Sequence, residues 1–124
     1  MTGKNTTISD QVLLTHIFQE CRKITELTAR ITYEDYLNDP TYQDALIRRI
    51  EIIGEAAGNL SGEFAETHPE IPVREMKSMR NVLAHQYFRV DIEYVWLTVI
   101  NDIPPLHQQL AILLGQHVFF EKTE

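Results

Sequence analysis

Apolar residues recur along this chain at steps of three and four, the spacing of one helix face, and not at every second position as in a strand. After Ser9, a helix-capping residue type, Leu13, Ile17, Cys21, Ile24, Thr28 and Ile31 mark one stripe and predict an amphipathic helix over 9–31. Thr32 to Asn38 reads as a short turn. Asp39 followed by Pro40 then has the chemistry of a cap and first helical residue. A long second helix follows, with Tyr42, Leu46, Ile50 or Ile53, Ala57, Leu60 and Phe64 on its buried face and an end before His68 and Pro69. A third carries Val73, Met76, Met79 or Arg80, and Leu83. From Ile92, behind Asp91 as cap, the apolar phase runs through Pro104 and Pro105, predicting one helix over about 92–116, kinked at the prolines. A break at Asp102, which would cap a separate helix, is the alternative. The expected fold is all-α: an antiparallel up-and-down bundle of four to five helices in a single domain, with 1–8 and 118–124 as flexible or strap-like tails. The tail residues Val118, Phe119 and Phe120 fit either a packed strap or a contact with a partner.

Gly54 and Gly58 lie four apart on one face of the second helix. Each glycine inside a helix costs about 1 kcal/mol relative to alanine, so the pair implies that another backbone, from a neighbouring helix or subunit, comes close there.

At 124 residues and 44% apolar composition the chain supports one ordinary core. It has no apolar run long enough for a membrane span and a polar N-terminus, so a soluble, cytoplasmic protein is expected. Cys21 is the sole cysteine, which excludes an internal disulfide and a thiolate zinc site, and its place on the apolar stripe makes it a buried small hydrophobe. His16, at the edge of that stripe, is expected to be structural. A carboxylate-bridged two-metal bundle needs a Glu three residues before a ligating His. The residues so placed before His16, His68, His85, His107 and His117 are Leu13, Ala65, Val82, Pro104 and Leu114. Phosphate-binding glycine loops and the nucleophile elbow are also missing. The expectation is a protein without metal or cofactor.

The net charge of −7 repels a polyanion at long range, but it is unevenly spread. Between Arg74 and Arg89, Arg74, Lys77, Arg80 and Arg89 face only Glu75, a local balance of +3, which leaves −10 on the other 108 residues. Within this island Arg80, Asn81, His85 and Tyr87 gather a fixed cation, an amide, an imidazole and a phenol in eight residues. Five positions turn an ideal helix through about 500°, leaving Arg80 and His85 about 140° apart. They converge only if the helix unwinds near Ala84 and His85 or if a second subunit completes the site. A purely structural alternative has His85 against a helix C-terminus and Arg80 paired with a carboxylate.

The run from Met79 to Phe88, with Arg80, His85 and Tyr87 in order, resembles the Arg-x4-His-x-Tyr signature of HEPN-domain toxins of the HepT group. The flanks are similar too: Arg49 to Ala57 resembles that family's second helix, and Val95-Trp96 with Asp102 to Leu106 its last. The resemblance implies a helical bundle that dimerises, or forms a higher oligomer, and brings two motifs into one cleft. It further implies a ribonuclease toxin neutralised by a minimal nucleotidyltransferase antitoxin that adds AMP to the motif tyrosine. Residue by residue, Arg80 and His85 match the catalytic pair, Asn81 the polar residue after the arginine, and Tyr87 the AMPylated tyrosine. Arg74, Lys77 and Arg89 are then expected to guide an RNA backbone, with a structured RNA such as tRNA as target. The competing function is a noncatalytic module that binds a nucleotidyltransferase and presents nucleotide or substrate to it.

Overall fold

Ser9 accepts a hydrogen bond from the Val12 amide at 3.3 Å and starts α1 (Asp10–Thr28), the first element of a computed structural model that describes residues 9–84 and 91–115, the side chains of 81–84 excepted. The apolar stripe expected on α1 is buried at Leu13, Ile17, Cys21 and Ile24. Burial pushes the Cys21 thiol up to about 12, with the Glu20 charge adding to the shift.

The chain then departs from the expected turn. Residues 33–38 form a short helix, α2 (Tyr33–Asn38), opened by a reciprocal capping box: the Thr32 hydroxyl accepts from the Asp35 amide at 3.0 Å and the Asp35 carboxylate from the Thr32 amide at 2.9 Å. Six residues are too few to show a helical period, which is why the pattern concealed it. Asp39 and Pro40 do start α3 (Pro40–Ala57), with Asp39 accepting from the Thr41 amide at 2.9 Å.

The second long helix is shorter than its apolar phase predicted. It closes at Gly58, and α4 (Gly62–Thr67) begins anew behind Ser61, whose hydroxyl accepts from the Phe64 amide at 3.0 Å. Asp10 accepts from both the Ser61 amide, at 2.9 Å, and its hydroxyl, at 2.6 Å. This bond fastens the start of α1 to the chain just past the end of α3, so the two helices run antiparallel. After the Pro69–Pro72 loop comes α5 (Val73–Ala84).

The final helix is two: α6 (Ile92–Asn101), capped by Asp91, and α7 (Ile103–Leu114), joined at the single residue Asp102. The break falls two residues before the expected kink. Asp102 occupies the cap position of α7 yet makes no capping bond. The reason is local: the amides a cap would satisfy belong to the second and third helical residues, here Pro104 and Pro105, which have no N–H.

Helix α3 lies at the centre, with α1 and α5 packed along it and α7 against α1. The core closes on Ile17, Leu46, Ile53, Met76, Ile103 and Leu110, none more than 1% exposed, each contributing roughly 1.5–3 kcal/mol of burial. An all-helical bundle is thus observed, with seven helices among the described residues. Between α1 and α3, the nearly buried Glu20 carboxylate accepts from Arg49 at 3.1 Å and lies 3.7 Å from Lys23. His107 on α7 is enclosed by α1, with its Nδ1 3.5 Å from the Thr25 hydroxyl and its ring 4.9 Å from Phe18. Burial, reinforced by the Arg22 charge, keeps its pKa below 6.5. No helix of the described residues is long and apolar enough to cross a membrane.

Candidate functional site

Gly54 on α3 and Gly58, which caps the end of that helix, explain how α5 is seated. A Cβ placed on Gly54 would lie 2.5 Å from the Arg80 amide nitrogen, 2.6 Å from its Cβ and 2.9 Å from its Cα, so the α5 backbone occupies the space a side chain would need. One turn on, a Cβ at Gly58 would stand 2.9 Å from Arg80 Nη1. Only Gly54 is interior to the helix, Gly58 being its cap, but the close approach expected at the pair is made by a neighbouring helix of the same chain, and the residue at the contact is Arg80. Its backbone rests on Gly54 while its side chain runs along α3 to Gly58.

This seat leaves Arg80 exposed at the surface. Lys77 and Arg74, three and six residues before it, are exposed on successive turns, so the three cations form one stripe along α5. Among the described residues no carboxylate forms an ion pair with any of them, and the structural alternative for Arg80 has no partner there. Arg80 was also a candidate for the buried face of α5. Instead Met76 is buried and Met79 half-buried.

The backbone of α5 is described to Ala84, while the side chain of Asn81, and His85, Tyr87 and Arg89 altogether, lie outside the described residues. The tail from Val118 lies outside them too. The convergence of Arg80 with His85 is therefore an expectation carried by the sequence.

A cavity of about 360 Å³ opens on the side of α5 turned away from the basic stripe, floored by Met76, Met79 and Leu106. Glu70, Glu75 and Asp102 line it, the wrong sign for a phosphate backbone, so the basic stripe and not the cavity is the face suited to a polyanion. Among the described residues no group of three or more His, Cys, Asp or Glu side chains is arranged to hold a metal ion. What sequence reasoning missed is the link between two of its own observations: the glycines and the arginine were separate features, and only the packing joins them.

The family model described as ribonuclease HepT-like matches residues 17–113. A protein of Thermococcus cleftensis provisionally named ribonuclease HepT is 48% identical over 93 residues, covering 75% of this chain and 84% of that protein. A provisionally named RNase of Caldanaerobacter subterraneus subsp. tengcongensis is 42% identical over 101 residues, 82% of this chain and 90% of the relative. In Methanocaldococcus jannaschii, a protein whose name joins a gamma-glutamylcyclotransferase to an RNase is 42% identical over 106 residues, which are 86% of this chain and 48% of that longer one. No solved structure matches the chain significantly. The matched span runs from α1 to α7 and takes in both the glycine seat and the arginine on it: the chain belongs to the family of HepT-like ribonucleases.

Proposed function

We propose that this protein is the toxin of a toxin–antitoxin pair, a metal-independent endoribonuclease that cuts RNA by attack of its own 2′-hydroxyl. The observation that carries the reading is Arg80, held exposed at the end of a basic stripe within a chain of the HepT-like ribonuclease family. RNA supplies the nucleophile, so cleavage asks for proton transfer and charge stabilisation alone. His85 takes the 2′-hydroxyl proton or donates one to the leaving 5′-oxygen, a role worth about 10²–10⁴ in rate near an imidazole pKa of about 6.5. Arg80 holds the phosphate through paired N–H donors and stabilises the added negative charge of the five-coordinate transition state. Asn81 orients the phosphate or the imidazole. In a homodimer two His85 side chains divide the work of base and acid. The products are a 2′,3′-cyclic phosphate and a 5′-hydroxyl.

Arg74, Lys77 and Arg89 draw the RNA backbone in, while the acidic remainder of the chain disfavours indiscriminate binding, which points to a structured target such as tRNA. A nucleotidyltransferase antitoxin silences the enzyme by transferring AMP from ATP to the hydroxyl of Tyr87, with pyrophosphate leaving, two residues from His85, where new negative charge and bulk repel and occlude a phosphate. Purified protein incubated with RNA in excess EDTA tests the reading. Cleavage with cyclic-phosphate ends is expected, with DNA left intact and with losses of about 10²–10³ in Arg80→Ala and about 10²–10⁴ in His85→Ala. A wild type inert on all RNA would refute it.

A further inference from the structure

We propose that Gly58 is a positioning residue for Arg80: by presenting no side chain at the end of α3, it leaves the space in which the arginine guanidinium lies and so sets where that group meets a phosphate. The second half of this inference rests on the nuclease reading above. The first rests on packing.

Gly54 and Gly58 meet the same arginine in different ways. Around Gly54 the obstructing atoms are the amide nitrogen, Cα and Cβ of Arg80, so that glycine fixes the spacing of two helices. At Gly58 they are Nη1, at 2.9 Å, and Cζ, at 3.5 Å, which are the far end of the side chain and no part of the α5 backbone. Nor does Gly58 answer a conformational need. Glycine is favoured at helix ends where φ is positive, but Gly58 has φ −64° and ψ −18°, ordinary right-handed values that alanine adopts freely. With conformation excluded, what the missing Cβ provides is room. Gly58 is the C-terminal cap of α3, so a guanidinium lying beside it rests near the negative end of the α3 dipole, a favourable place for a cation. An added methyl would move Nη1 by 0.5 Å or more to reach ordinary contact at 3.4 Å, and would leave the helices in place.

The test is Gly58→Ala in the full-length chain. Its melting temperature is expected to equal or exceed that of wild type, while kcat for RNA cleavage falls about tenfold to 10²-fold, with KM less affected, as misplacement of a charge-stabilising group predicts. On an Arg80→Ala background the same substitution should change nothing further, since its effect passes through the arginine. A readout independent of activity is the Arg80 Nε–Hε resonance in an ¹⁵N-labelled sample, identified by its disappearance in Arg80→Lys and expected to shift in Gly58→Ala. An unmoved resonance, wild-type kcat, or a loss of thermal stability as large as that of Gly54→Ala would each overturn the assignment. If wild type fails to cleave RNA the nuclease reading falls alone, and the resonance still decides whether Gly58 seats the guanidinium.

Discussion

Replacing Gly54 by alanine puts the contact between α3 and α5 to a quantitative test. The new methyl would stand 2.5 Å from the Arg80 amide nitrogen and 2.6 Å from its Cβ, against the 3.4 Å or more of ordinary contact, so the helices must separate by nearly 1 Å. The obstructing atoms are mostly backbone and cannot swing aside. Overpacking costs roughly 1–3 kcal/mol, and this site belongs at about 3 because neither helix can give locally. Alanine's better helix propensity returns about 1 kcal/mol, leaving a net loss of about 2 kcal/mol. A chain of 124 residues unfolds with an entropy of roughly 260 cal/mol/K, so the melting temperature should fall by about 8 °C. Circular dichroism melts of wild type, Gly54→Ala and Gly58→Ala, run side by side, measure it. A Gly54→Ala protein as stable as wild type would mean that α5 does not sit on α3 at this distance, and the account of the arginine seat would fail with it.

Two further outcomes follow from buried polar groups. Arg49→Ala strips the nearly buried Glu20 carboxylate of its 3.1 Å partner and leaves Lys23 at 3.7 Å, so urea denaturation should show a loss of about 1–3 kcal/mol, largely restored when Glu20 is replaced by Leu in the same chain; no restoration would show that the pair contributes more than it costs to bury. Burial holds the His107 pKa below its unfolded value of 6.5, so between those two values the unfolded chain binds the extra proton: this contribution to stability is complete above pH 6.5 and is lost as the pH falls toward the folded pKa. Its slope is at most about 1.4 kcal/mol per pH unit, and His107→Gln should flatten the fall in urea midpoint between pH 7.5 and 5.5; equal slopes in the two proteins would refute the burial effect.

Long amphipathic helices were legible in the chain because burying one face imposes a period over many turns, as Leu13, Ile17, Cys21 and Ile24 do on α1. Boundaries were less so. Across Gly58 to Ser61 the apolar phase continues at Leu60 and Phe64, both buried, and nothing in periodicity distinguishes a continuous helix from two that share a core. The capping box at Thr32 and Asp35 is a local signal, but the six residues of α2 are too few to show a helical period beside it. At the site, the glycine spacing announced a close contact because two glycines inside a helix are costly without one. That their partner was Arg80 depends on how α5 crosses α3, a long-range fact that no local pattern contains.

Tyr36, fully enclosed and donating its hydroxyl to the Ile92 carbonyl at 2.7 Å, joins α2 to the first residue of α6 across 56 positions of sequence. The first turn of α6 is thereby tied to a short helix far earlier in the chain. Tyr36→Phe keeps the ring in its pocket and removes only that bond, so it would loosen the start of α6 without touching any residue of the basic stripe on α5.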